Sequence, residues 1–120
     1  MLSPDLHILA DTDFCYLTTT GRVSGRPHTI EIWFALHEHT LYMLSGARDR
    51  SDWVKNVLRS PAVQVKINEI TFSGQARVVN GVEEDALART LVSNKYTPRS
   101  SDDLRDWSRT SLPVAVDLLI

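Results

Sequence analysis

The 120-residue chain is short of several things, and each shortage excludes something. It has one cysteine, Cys15, so no internal disulfide can form and a disulfide scaffold of the secreted kind is excluded. No CxxC, HExxH or His/Cys cluster occurs, so no metal site is expected. No apolar run approaches the roughly 20 residues that a membrane-spanning helix needs, so no membrane insertion is expected. The first residues lack a basic start followed by an apolar core, which makes a reducing cytoplasm the expected location. Charge of one sign is scarce too: 13 Lys and Arg face 15 Asp and Glu. The net charge of −2 gives no global drive toward nucleic acid. An apolar content of 42% and a charged content of 23% fit one globular domain over residues 1–120.

What is present is a series of short β-type segments. Residues 14–20, rich in aromatic and β-branched side chains, predict a first strand. Residues 27–36 predict a second, with Ile30, Ile32 and Phe34 on one face and Thr29, Glu31 and Trp33 on the other. The polar turn His37-Glu38-His39 leads into a third strand at 40–45, as in a meander. Residues 62–67, 70–79 and 113–120 predict three more strands, the first with Val63, Val65 and Ile67 alternating against Gln64 and Lys66.

Helices fill the gaps. Ser3-Pro4-Asp5 opens a short one, proline standing at the first helical position. Ser51 or Asp52 caps a second, with an apolar stripe of Trp53, Val54, Val57 and Leu58 that Ser60-Pro61 stops. Residues 83–95 predict a third with Leu87 and Leu91 facing inward, while 98–111, which hold Trp107, read as polar and irregular. Strands joined by hairpins, without βαβ alternation, indicate a mainly β fold: a six-stranded antiparallel barrel with short helices. Closure would also remove exposed sheet edges.

Two loops concentrate the polar chemistry. Between the first two strands, Gly21-Arg22-Val23-Ser24-Gly25-Arg26 combines glycines able to take φ > 0 with a hydroxyl and two guanidinium groups. Backbone amides and guanidinium forks match phosphate oxygens, although the same residues also suit a plain hairpin with solvated arginines. The second loop, Ser45-Gly46-Ala47-Arg48-Asp49-Arg50, runs into the helix that starts near Ser51.

The run Leu17-Thr18-Thr19-Thr20-Gly21-Arg22-Val23-Ser24-Gly25-Arg26-Pro27 resembles the signature of the deazaflavin-dependent nitroreductase family. That family belongs to the split β-barrel flavin-binding superfamily, which also holds pyridoxamine-phosphate oxidases. The likeness continues through Trp33-Phe34, Leu41-Tyr42-Met43-Leu44-Ser45-Gly46, Trp53-Val54-Lys55-Asn56-Val57-Leu58-Arg59-Ser60-Pro61 and Ala76-Arg77-Val78-Val79. The resemblance implies a six-stranded split barrel of the FMN-binding type, and a cofactor that is either coenzyme F-420, a deazaflavin, or FMN.

By position, Arg22, Ser24, Gly25, Arg26 and Pro27 would serve the cofactor from the first loop, and Ser45, Gly46, Arg48 and Arg50 from the second. Trp53 would approach the ring or the entrance. The implied activity is hydride or electron transfer to a small acceptor such as a quinone, a nitro compound or an activated alkene. The implied assembly is a homodimer. Because the cofactor supplies the reacting atom in such chemistry, no catalytic acid, base or nucleophile is nominated. The alternative is a non-catalytic split barrel that carries flavin or haem. Val23 stands where the family usually has lysine, and His28 where it commonly has a basic residue. The lower positive charge keeps FMN beside F-420 as the expected cofactor.

Overall fold

Alternation in the sequence becomes one curled antiparallel sheet. The computed structural model describes residues 6–120, so the expected cap Ser3-Pro4-Asp5 lies outside the described residues. The elements are α1 (Leu6–Leu9), β1 (Cys15–Thr20), β2 (Pro27–Ile32), β3 (Ala35–His37), β4 (Thr40–Ser45), α2 (Asp52–Arg59) and β5 (Ala62–Ile67). After these come β6 (Ile70–Val78), α3 (Val82–Tyr96), α4 (Arg105–Thr110) and β7 (Leu112–Leu118), with 3-10 turns at Arg48–Arg50 and Thr97–Arg99. The strands lie in the order β2-β1-β5-β6-β7-β4-β3. The expected mainly β antiparallel barrel is borne out.

The strand count is seven rather than the expected six, because the expected second strand breaks at Trp33-Phe34 into β2 and β3. These two do not continue as a meander. They are the opposite edges of the sheet, so one kinked segment supplies both edges of the curl. The kink is held by the end of α3. The Phe34 amide donates to the Tyr96 hydroxyl at 2.9 Å, and its carbonyl accepts from Lys95 Nζ at 2.9 Å. The Tyr96 hydroxyl itself donates to the Asp13 carbonyl at 2.7 Å. Side chains thus replace the ladder partners that Phe34 gives up, as a buried backbone group requires.

The core has two layers, and the strands record which they serve. β5 alternates strictly between exposed and buried residues, having one buried face. In β4 and β7 the apolar run is nearly continuous because both faces are covered. Leu41, Met43, Val114 and Val116 point into the barrel with Val54 and Val57 of α2. Tyr42, Leu44 and Ala115 instead meet Ala88, Val92 and Tyr96 of α3, with Leu87 and Leu91 partly buried at the margin as expected.

Two readings need correction. Leu58 is 59% exposed, because the buried arc of so short a helix is filled by Val54, Val57 and Asn56. Residues 98–111 are not uniformly irregular: they include α4, whose Trp107 packs on the second layer. Gly74 has a packing reason. A Cβ there would sit 2.5 Å from Val116 Cγ1 and 3.1 Å from the Asp117 carbonyl, so β7 can approach only glycine this closely.

Candidate functional site

The connection from β1 to β2 is a folded loop rather than a continued ladder. The Gly21 amide donates to the Arg26 carbonyl at 2.7 Å, and the Gly25 amide to the Gly21 carbonyl at 2.9 Å. Gly25 takes φ +72°, the left-handed region that favours glycine. The Arg26 amide donates to Ser24 Oγ at 3.1 Å, an ST-type turn.

Asn56 ties this loop to α2. Its Oδ1 accepts from the Arg22 amide at 3.1 Å and from Arg22 Nη1 at 2.9 Å, while its Nδ2 donates to Thr19 Oγ1 at 3.1 Å. Both Asn56 and Thr19 are buried, so each needs these partners. Arg22 also reaches the first turn of α2, with Nη2 3.1 Å from Asp52 Oδ1 and Nη1 3.4 Å from the Asp52 carbonyl.

A cleft of about 490 Å³ opens beside this junction, with Arg22, Ser24 and His28 on one side and Asp52 and Trp53 on the other. Ser24 Oγ and His28 Nε2 lie 3.4 Å apart. Gly21 makes their convergence possible, since a Cβ on it would fall 2.6 Å from His28 Nε2 and 2.7 Å from Ser24 Oγ. Trp53 is partly buried against the barrel core and also lines the cleft. A guanidinium, a hydroxyl and an imidazole beside an indole suit a ligand with an anionic end and a flat apolar body. A second cleft, about 370 Å³, shares Thr19 and is lined by uncharged Thr18, Thr20, Gln64, Ser73 and Gln75, with Pro27 at its margin.

The second loop faces elsewhere. Ser45 is buried, its Oγ donating to the Arg48 carbonyl at 2.8 Å and lying 2.7 Å from Ser51 Oγ. Arg48 donates from Nη1 to the Thr110 carbonyl at 2.7 Å, and Arg50 from Nε to the Ala47 carbonyl at 3.4 Å. A Cβ on Gly46 would touch the Trp107 ring at 3.5 Å. Of the ten residues carried over by resemblance, the fold therefore brings Arg22, Ser24 and Trp53 to one cleft, and Gly25 and Arg26 shape its loop. Pro27 starts β2, while Ser45, Gly46, Arg48 and Arg50 do not line the Arg22 cleft.

Thr19 and Asn56 were not singled out as site residues from sequence, and Asp52 only as a helix cap. The one signal for them was Asn56 itself, an amide on the apolar face of a helix.

The other polar clusters are committed to structure. Trp33 stacks on Tyr96 with centroids 4.3 Å apart and meets Trp107 edge-on at 5.6 Å. Burial pushes the Cys15 thiol up to about 12, so it stays protonated as a small core residue. Burial first, then its bond to Glu84, pushes the Tyr42 hydroxyl up to about 12. Among the described residues no group of three or more His, Cys, Asp or Glu is placed to hold a metal. No helix among them is long and apolar enough to cross a membrane.

The model of the F-420H(2)-dependent quinone reductase family matches residues 6–118. No curated protein matches the chain in sequence. Among solved structures it is similar to an F-420-H2 dependent reductase at 22% identity and TM-score 0.68, over 87% of this chain and 93% of that one. It is similar to HutZ, the heme storage protein from Vibrio cholerae, at 14% identity and TM-score 0.75, over 99% and 91%. It is also similar to an FAD-binding protein from Mesorhizobium loti, at 13% identity and TM-score 0.71, again over 99% and 91%. At these identities the structural likeness speaks for the fold.

Proposed function

The chain belongs to the F-420H(2)-dependent quinone reductase family and is an oxidoreductase; from that premise we propose that it holds F-420 or FMN in the Arg22 cleft and passes hydride or electrons to a small acceptor. The observation that carries this reading is the convergence of Ser24 and His28 over Gly21, where the missing Cβ leaves the space they share, in the cleft that Arg22 also lines. The donor set fits a phosphate, and about 490 Å³ lies within the roughly 300–1,000 Å³ of small-molecule sites.

When bound, the cofactor supplies the redox chemistry. The chain binds, orients and keeps water out. Arg22, held by Asn56, and the Ser24 hydroxyl engage the anionic end. Trp53 and Ile30 offer the apolar surface against which a flat ring would lie. A quinone is the acceptor favoured by the family, with nitro compounds and activated alkenes as further candidates. A cytoplasmic homodimer belongs to the same reading. Val23 at the cleft is 93% exposed and Leu58 on α2 is 59% exposed, apolar surface that a second copy would cover.

The test is fluorescence titration with F-420 and with FMN, followed by quinone reduction with the reduced form of whichever binds. Saturable binding is expected, weakened ten- to hundredfold in Arg22→Ala, about 1.5–3 kcal/mol for a charge-assisted hydrogen bond. Binding of neither cofactor sinks the reading. Binding without turnover on any of the three acceptor classes selects the carrier of flavin or haem instead.

A further inference from the structure

The cleft contains its own anion. Asp52 Oδ1 lies 3.1 Å from Arg22 Nη2, and the Asp52 carbonyl takes a second contact from Nη1 at 3.4 Å. Asp52 is on the cleft wall beside Trp53, so the carboxylate shares the space in which Arg22 would meet a ligand. Its charge cancels that of Arg22, and of the other cleft residues only His28 has a basic side chain. The side chain of Asp52 is 86% exposed, which leaves it free to swing into water when something better reaches Arg22.

We propose that Asp52 is a specificity-determining residue: an internal counter-ion that an incoming phosphate must displace from Arg22, and that disfavours ligands carrying further carboxylates near it. The inference rests on the cofactor reading of this cleft. The exchange involves no covalent step. Arg22 trades one charge-assisted pair for another, so the net gain on binding a phosphate is smaller than a free guanidinium would give. F-420, whose glutamate tail adds carboxylates to its phosphate, suffers more from Asp52 than FMN does. The near-neutral pair also makes binding less sensitive to salt than a bare arginine would.

The experiment is a double-mutant cycle of Asp52→Asn and Arg22→Ala, with FMN and F-420 titrated into each protein at two salt concentrations. Asparagine keeps the size of the side chain and removes its charge. In the wild-type background, D52N is expected to tighten both cofactors, about two- to fivefold for an exposed pair, and F-420 more than FMN. Salt dependence should steepen in D52N. In the R22A background the same change should alter FMN affinity less than twofold. Equal tightening of FMN in both backgrounds would overturn the inference, since Asp52 would then act on the phosphate through its general field and not through Arg22. Unchanged or weaker binding in D52N would overturn it as well. If the wild-type protein binds neither cofactor, the cofactor reading itself fails, and that outcome is distinct because it precedes any effect of D52N. Inorganic pyrophosphate, used as a competitor, gives a readout independent of turnover: it should compete more strongly in D52N than in wild type.

Discussion

The loop at 21–26 and the loop at 45–50 each carry glycine, serine and two arginines; the first leads from β1 to the edge strand β2, the second from β4 into α2. In the second loop the donors end on the loop's own surroundings. Arg48 reaches the Thr110 carbonyl, Arg50 the Ala47 carbonyl, and Ser45 Oγ the Arg48 carbonyl. In the first loop Arg22 is anchored by Asn56 and paired with the exposed Asp52, and it still borders an open cleft with Ser24 and His28. Composition does not separate a binding loop from a structural one. What separates them is where neighbouring polar groups sit: residues 52 and 56, far away in sequence, for one loop, and the loop's own Ala47 and Arg48 carbonyls with residue 110 for the other.

The largest break in this comparison should come from Asn56→Ala. It takes away the partner of the buried Thr19 Oγ1 and of the Arg22 amide, and leaves the guanidinium held by Asp52 alone. Loss of stability of about 2–3 kcal/mol is expected in urea unfolding, because buried partners left unpaired bear the desolvation cost. Cofactor affinity should fall with it. A loss under about 0.5 kcal/mol would mean that the loop is not held by α2.

This variant also marks where sequence reading stopped. Strand positions followed from alternation, and the 62–67 strand and the 40–45 strand lie where the pattern put them. The break at Trp33-Phe34 did not show, because the apolar alternation runs through it and its cause is Tyr96 and Lys95, some 60 residues on. In the site, Arg22 and Ser24 stood out because charge and hydroxyl in a glycine loop are locally visible. Asp52 and Asn56 did not, since their roles depend on how a helix docks on a loop.

Second in size is Gly21→Ala. The added Cβ collides with the ends of His28 and Ser24, which can move, so fold stability should change little. Their movement separates the donors. Affinity for FMN or F-420 should drop about tenfold, roughly 1.4 kcal/mol. An unaltered titration would show that convergence of Ser24 and His28 is not what binds.

A third test addresses the structural side of the barrel. Burial, aided by repulsion from Arg99, pushes the Lys95 ammonium down from 10.5 to about 8. The unfolded chain thus holds that proton in a window, between about pH 8 and pH 10.5, where the folded chain releases it. Stability from this group therefore rises with pH across that window and is flat below it. The residue is only half buried, so the rise should amount to about 1 kcal/mol after solvent screening. Thermal unfolding from pH 7.5 to 9, below the range where the raised Cys15 thiol pulls stability the other way, should show the rise in wild type and lose it in Lys95→Met. An identical pH profile in both would remove Lys95 as its source.

The smallest effect is expected at Arg48, and it is the one that tests the comparison from its structural side. Arg48 adopts φ +57°, where a side chain is strained, and its guanidinium repays part of that through the Thr110 carbonyl. Arg48→Ala keeps the strain and drops the bond, so it should cost about 0.5–1 kcal/mol. Arg48→Gly drops the bond but relieves the backbone, a gain of similar size, and should be close to neutral. Neither should change cofactor affinity by more than about twofold, since the side chain points at α4 and not into the Arg22 cleft. A tenfold loss of binding in both variants would mean that the second loop reaches the ligand after all, by closing with α4 over the cleft or from a second copy. The two arginine loops would then be two halves of one site.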